Sequence, residues 1–500
     1  MAKKPLDKDL RKFTGLSAAS ADVARQLTYP ALALLFLGAV ALYAAVVVGD
    51  APMAAYVIVG AFIAGYLALN IGANDVANNV GPAVGSKAIT LTAALVIAAV
   101  CEAAGAILAG GDVVETISKG IITPPAAMEA ADFILLMMAA LFAAAVWVNL
   151  ATVLGAPVST THAIVGGVIG SGVAAAGPAV VAWPTMGGIV ASWVISPVMG
   201  GVVAAALLAA IKWLILFRED RVAAARRWVP ALVALMSGVF VLYMGMKGLR
   251  QVWSPSPMLM YGAAVVAFFG SWALARPWVA RRSIGMENRR KHISKLFVLP
   301  LIFAAALLSF AHGANDVANA VGPLAAIVAA AQSGLAAPGD VTLPLWILVI
   351  GALGISLGLA LFGPRVIRTV GEQITKIDPM RAYCVALSAA MTVLVASALG
   401  LPVSSTHIAI GGVFGVGLLR EVLTNKGVRR RNGGNPRPPR LDGSMKAALK
   451  AQKRENRRLV RRRHIWGIAA AWVVTVPAAA VLSGLMYLGL ALVVGQVQGG

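Results

Sequence analysis

Two aspartates, Asp75 and Asp316, sit inside long apolar runs, each in the same setting. Residues 72–82 read GANDVANNVGP and residues 313–323 read GANDVANAVGP, with Asn79 against Ala320 as the single difference. A carboxylate at membrane depth costs roughly 2.5–3.5 kcal/mol, so a duplicated one needs a use. With Asn74 or Asn315 beside it, and with glycine and proline around it expected to interrupt regular helix, each aspartate has the makings of a hard-cation site of the sodium type. Amides exposed at such a half-helix N-terminus would suit an anion. Asn78 and Asn319 fall four residues after Asn74 and Asn315, on the same face if helix continues, where they either extend the cation site or pack. For a lone intramembrane Asp the competing role is an interhelical hydrogen bond; repetition of the whole block weakens it.

A second pair of motifs supplies hydroxyls. Residues 157–162 read PVSTTH and residues 402–407 read PVSSTH, followed by Gly166-Gly167 and Gly411-Gly412. Ser159, Thr160 and Thr161 in one copy, and Ser404, Ser405 and Thr406 in the other, are the donors a tetrahedral oxyanion needs. The alternative is that they bond back to their own helix carbonyls. Neither motif contains Arg or Lys. Lys87 lies nearby, but its counterpart at the same offset is Val328, so it is no part of the duplicated set. An oxyanion held here therefore lacks a fixed opposite charge unless cations travel with it, and coupled symport follows from that balance. His162 and His407 stand three residues after Ser159 and Ser404. Proton relay, metal binding and interhelical bonding are open to them. A Ser–His hydrolase is disfavoured, because no third group orients the imidazole and the pair occurs twice. Glu102, inside an apolar run, either faces the site or packs against scaffold polar groups; Glu115 is less informative.

The elements that position these residues are membrane helices. Of 500 residues, 59% are hydrophobic and 12% charged, and the mean hydropathy is +0.83, more apolar surface than a soluble core would hold. Apolar runs long enough to cross the hydrocarbon recur from Pro30 onward. The net charge of +22 lies in a few stretches between those runs, which argues against nucleic acid and marks topology instead. Cys101 and Cys384 both lie in apolar runs and imply no disulfide framework. The run from Pro30 to Gly49 exceeds a signal-peptide core and reads as a retained span.

Both motifs recur in order and at a nearly constant offset, so the chain is a duplication. Four basic segments are expected inside the cell: the N-terminal one, Arg218–Arg227, Arg276–Lys291 and the loop 420–463. Between them we place thirteen spans, within a range of about 11–13. They fall near 30–49, 54–75, 88–110, 132–153, 156–178, 185–216, 229–247, 258–275, 296–318, 343–363, 381–400, 402–419 and 465–494. The fold class is thus an all-α polytopic membrane protein, with inverted-topology repeats and broken or re-entrant helices. Its expected units are a cytoplasmic segment 1–29, an extra span 30–53, a first repeat 54–216, linking helices and basic loops 217–295, and a second repeat 296–494. The loop 420–463 is expected to act as a stop-transfer anchor rather than a lipid-docking element.

The paired GANDVAN blocks and paired PVS[ST]TH blocks, each of the latter trailed by two glycines, resemble the inorganic phosphate transporter family over roughly residues 54–494. The resemblance implies a symporter that binds phosphate and cations near the midplane, often as a homodimer. It maps Asn74, Asn315, Ser159, Thr160, Thr161, Ser404, Ser405 and Thr406 to phosphate, and Asp75, Asp316, Asn78 and Asn319 to the coupling cation. Asp75 and Asp316 would be metal ligands if that cation is sodium, with His162 and His407 left for proton relay. The family includes sodium-coupled, proton-coupled and sulfate-carrying members, so the ion and the choice of phosphate over sulfate stay open, as does travel of a metal–phosphate complex. The expectation is a secondary transporter without cofactor, importing phosphate through the cell (inner) membrane among its lipids, with the N-terminus cytoplasmic. An anion channel is the alternative of a different class.

Overall fold

A computed structural model of the chain describes residues 5–154, 158–248, 255–336, 343–373, 377–425 and 462–498. The loop expected at 420–463 lies outside these from residue 426 to 461.

Among the described residues, thirteen helices reach 17 residues or more: α1 (Pro5–Val48), α2 (Ala54–Gly85), α3 (Leu91–Ala109), α4 (Ala130–Leu154), α5 (Thr160–Ala176), α6 (Trp183–Ile211), α7 (Arg221–Tyr243), α8 (Pro257–Arg282), α9 (Val298–Ser333), α10 (Leu345–Gln373), α11 (Pro379–Ala398), α12 (Ser405–Asn425) and α13 (Arg462–Gln498). Twelve of these segments are long and apolar enough to cross a membrane; α5, at 17 residues, falls short. Helix is what such a sequence must form in hydrocarbon, where every backbone amide has to find its partner within the segment.

One expectation is overturned. The GANDVAN blocks do not break their helices: α2 runs unbroken through residues 72–82 and α9 through 313–323, with Pro82 and Pro323 inside them. A proline forfeits one donor, whereas a break would leave several polar groups unsatisfied in hydrocarbon, so the helix persists. Helix beginnings come instead from the hydroxyl motif. Ser159 is the N-cap of α5, its side chain accepting from the His162 amide, and α12 starts at Ser405.

The first glycine of each block acts by close approach. A Cβ on Gly72 would overlap the Ile355 carbonyl of α10, and one on Gly313 would overlap the Glu102 carbonyl of α3. Two further glycines return the contact, Gly358 against the Leu69 carbonyl and Gly105 against that of Phe310. Helices α5 and α12 behave alike: Gly166 and Gly170 abut Val476 and Ala480 of α13, while Gly411 and Gly415 abut Pro197 and Gly201 of α6. Each motif helix thus packs on a helix of the other copy, by the small-residue mode that lets membrane helices meet without a hydrophobic driving force between them. Helices α2 and α9 run antiparallel, since Gly60 near the start of α2 faces Leu324 and Ile327 late in α9, while Asp75 further along α2 faces His312 earlier in α9.

Gly313→Ala is expected to force α3 and α9 apart and to destabilise the protein by roughly 1–3 kcal/mol. Gly81→Ala, where nothing beyond the adjoining turns of α2 lies within 4 Å of an added Cβ, should hold or slightly raise stability. Melting of the two purified variants in detergent distinguishes them; equal melting would refute the packing role of Gly313.

Candidate functional site

The site forms where the N-termini of α5 and α12 meet the middle of α2 and α9. Two hairpins bring them there, α4–α5 and α11–α12, each docked on its own motif helix at matched positions. Asn74 Nδ2 donates to the Val158 carbonyl (3.3 Å), and its Oδ1 accepts from Thr152 Oγ1 (3.4 Å). In the second copy, Asn315 Nδ2 donates to Ser397 Oγ (2.9 Å) and to the Leu401 carbonyl (3.1 Å), while its Oδ1 accepts from the Val403 amide (3.1 Å). These two asparagines therefore fasten the hairpins.

The hydroxyls then cross between copies. Asn78 Nδ2 donates to Thr406 Oγ1 at 2.7 Å, Asn319 Nδ2 to Thr161 Oγ1 at 3.1 Å and to Thr160 Oγ1 at 3.3 Å, and Thr161 Oγ1 donates to the Val403 carbonyl at 3.1 Å. Asp75 gathers both halves. Its Oδ1 accepts from Thr406 (2.8 Å), Asn74 (3.1 Å) and Asn78 (3.4 Å), and its Oδ2 accepts from Thr160 (3.3 Å).

The residue that joins the two aspartates is His312, which the motif reading did not include. Its Nε2 lies 3.0 Å from Asp316 Oδ2 and 3.8 Å from Asp75 Oδ2, and its Nδ1 lies 3.2 Å from Glu102 Oε2. Glu102 Oε1 accepts from Asn79 Nδ2 at 2.8 Å. Glu102 thus faces the site rather than the scaffold. A side-by-side reading of the copies carried the signal: His312 stands where the first copy has Ile71, and Asn79 where the second has Ala320. Ile355 packs on Gly72 as Glu102 packs on Gly313, and Gly358 on Leu69 as Gly105 on Phe310, so Ile355 is the counterpart of Glu102. These three departures from the internal symmetry fall in one connected polar group.

His162 and His407 occupy a separate layer. The His162 ring stacks on Trp193 at 3.8 Å between centroids, meets the His407 ring edge-on at 5.0 Å, and has its Nδ1 2.7 Å from Ser159 Oγ. Trp193 Nε1 donates to the Pro402 carbonyl (3.0 Å), so this layer also joins the copies.

The donor set tests what the centre could hold. Asp75, His312 and Asp316 bring one ligand atom each within 4.8 Å of one another. Among the described residues, Asp316 Oδ1 and Asn319 Oδ1 are buried with no hydrogen-bond partner, which fits a hard cation with oxygen ligands. Ser405 Oγ, likewise buried and unpartnered, stands at the start of α12, where a donor and a helix N-terminus together fit an anion.

An all-α polytopic membrane protein that seals a charged, polar centre between helices of both copies has the construction of a solute transporter. The family model for the phosphate transporter family matches residues 71–483, and the chain belongs to that family. A Helicobacter pylori protein described as "Putative phosphate permease" is 43% identical, covering 96% of this chain and 98% of its own. One of the same description from Thermococcus kodakarensis is 37% identical over 84% of this chain and 94% of its own. A solved structure titled "The sodium-dependent phosphate transporter" matches with a TM-score of 0.75 and 32% identity, covering 88% of this chain and 99% of that one. These relatives are transporters and not enzymes, so the Ser159–His162 contact is a helix cap and not a nucleophile–base pair.

Proposed function

We propose that this chain imports inorganic phosphate by symport with sodium, through a single centre to which both copies contribute. The observation that carries the reading is the cluster of Asp75, Glu102 and Asp316 around His312. Three buried carboxylates around one imidazole leave an excess of negative charge even with the ring protonated, and burying uncompensated charge costs several kcal/mol. Such a centre accepts an anion only when cations enter with it. The sodium-dependent relative supports sodium over the proton as that cation. Asp75, Asp316 and the Asn319 oxygen are assigned to the cation, with Asn78 bracing the Thr406 hydroxyl. Ser405 and the amides opening α5 and α12 are assigned to phosphate, with Ser159, Thr160, Thr161, Ser404 and Thr406 shaping that anion site. Asn74 and Asn315 act on phosphate through the hairpins they hold, and the paired rings of His162 and His407 serve as the joint between the hairpins.

The antiparallel course of α2 and α9, and the exchanged packing of both copies, support an inverted repeat of 54–216 and 296–494 joined by 217–295. The basic loops support a cytoplasmic N-terminus in the inner membrane. Homodimerisation belongs to the same proposal, and cross-linking in native membranes tests it.

Uptake of labelled phosphate into proteoliposomes, under a sodium gradient or a pH gradient imposed separately, decides the coupling. Saturable uptake driven by sodium is expected. Sulfate uptake without phosphate uptake would place the chain with the sulfate carriers, and unsaturable current without a cation requirement would make it a channel.

A further inference from the structure

Away from the central site, a cavity of about 980 Å³ opens where the last turn of α8 and the short helix Arg290–Lys295 meet the end of α2 and the start of α9. Lys87, Arg282, Arg290, Lys291 and Lys295 line it, against a single carboxylate, Asp378. That carboxylate is already engaged: its Oδ2 lies 3.1 Å from Arg290 Nη2 and 3.6 Å from Arg381 Nε. Among the described residues, no carboxylate pairs with Lys87, Arg282, Lys291 or Lys295. Four cations around one volume repel one another unless an anion lies among them.

We propose that this cavity binds the phosphate headgroup of an anionic phospholipid. Three features favour a lipid over a soluble polyanion. The cavity sits at the end of an apolar helix, α8, whose last turn carries Arg281 and Arg282, so it lies at the level of headgroups. Trp278 and Met286 add an amphipathic and an apolar wall. Below the cavity, the shaft of α8 leaves Leu274 78% and Phe269 60% exposed, a surface for acyl chains.

Lys87 is held to the rim by backbone geometry. It is the residue after the C-cap of α2, with φ 59°, its amide bonded to the Val84 carbonyl and the next amide to that of Ala83. This is the helix-ending motif in which glycine is usual, and a lysine there retains left-handed strain. The cavity thereby connects the end of one motif helix with the entrance to the other, and a bound headgroup ties the two together through the linking segment.

The test is native mass spectrometry of the purified full-length protein in detergent, with phosphatidylglycerol, phosphatidylcholine, inorganic phosphate or polyphosphate added. Wild type is expected to retain phosphatidylglycerol at least about tenfold better than phosphatidylcholine, and the Arg282→Gln/Lys291→Gln/Lys295→Gln variant to lose that preference. Arg290 is kept because it pairs with Asp378. Lys87→Gly, which relieves the strained φ and so preserves the fold, should lower retention severalfold by itself. Equal retention of phosphatidylcholine, unchanged retention in Lys87→Gly, or displacement of the lipid by polyphosphate would overturn the proposal.

Discussion

Asp75→Asn is expected to abolish sodium-driven phosphate uptake while leaving the protein inserted in the membrane. The carboxylate accepts four hydrogen bonds, from Asn74, Asn78 and Thr406 on Oδ1 and from Thr160 on Oδ2, and thereby joins α2 to both hairpins. An amide in its place turns one acceptor into a donor that faces other donors, and removes a charge from the proposed cation site. Asp316→Asn makes the same change on the other copy, where Oδ2 meets His312 at 3.0 Å and Oδ1 is buried without a partner. Loss of a charged ligand of the proposed cation is expected to lower coupled uptake by roughly a hundredfold to a thousandfold, equivalent to about 3–4 kcal/mol of cation binding. The measurement is initial uptake per inserted protein in proteoliposomes. Near-normal uptake in both variants would remove the aspartates from the cation site.

The second large effect belongs to His312. His312→Leu leaves Glu102, Asp316 and Asp75 facing one another across an apolar core, and should destabilise the protein by about 3–5 kcal/mol. Its origin is tested with Glu102→Gln. Added to His312→Leu, that change takes away one of the stranded charges, and the Glu102 side chain bonds Asn79 through Oε1, a contact an amide oxygen can keep. The double variant should therefore melt above His312→Leu alone, a coupling that independent sites would not show. If His312→Leu melts with wild type, the imidazole does not neutralise this cluster.

Much of the site could be read without a structure, because its marks are local. A carboxylate in an apolar run is costly wherever the run folds, and finding an eleven-residue block twice with ten letters unchanged singles out Asp75 and Asp316 before any contact is known. The hydroxyls were legible for the same reason. Less could be said of Asn74 and Asn315, whose neighbours Val158 and Val403 lie more than eighty positions away along the chain. Gly72 and Gly313 suggest helix ends in the sequence, and they serve instead as flat surfaces against a carbonyl of the opposite copy.

Composition and repetition were enough to define a membrane-spanning, duplicated carrier and to name the residues that bear charge inside it. Hydropathy and self-similarity are properties of the chain itself, independent of how it packs. Tertiary structure alone decided that α2 and α9 stay continuous, that helix N-termini are delivered by the hairpins, and that Glu102, Asn79 and His312 break the internal symmetry together. The reason is physical: in hydrocarbon the backbone holds its helix even through proline. Which buried groups then neutralise one another is set by the close approach of helices far apart in sequence.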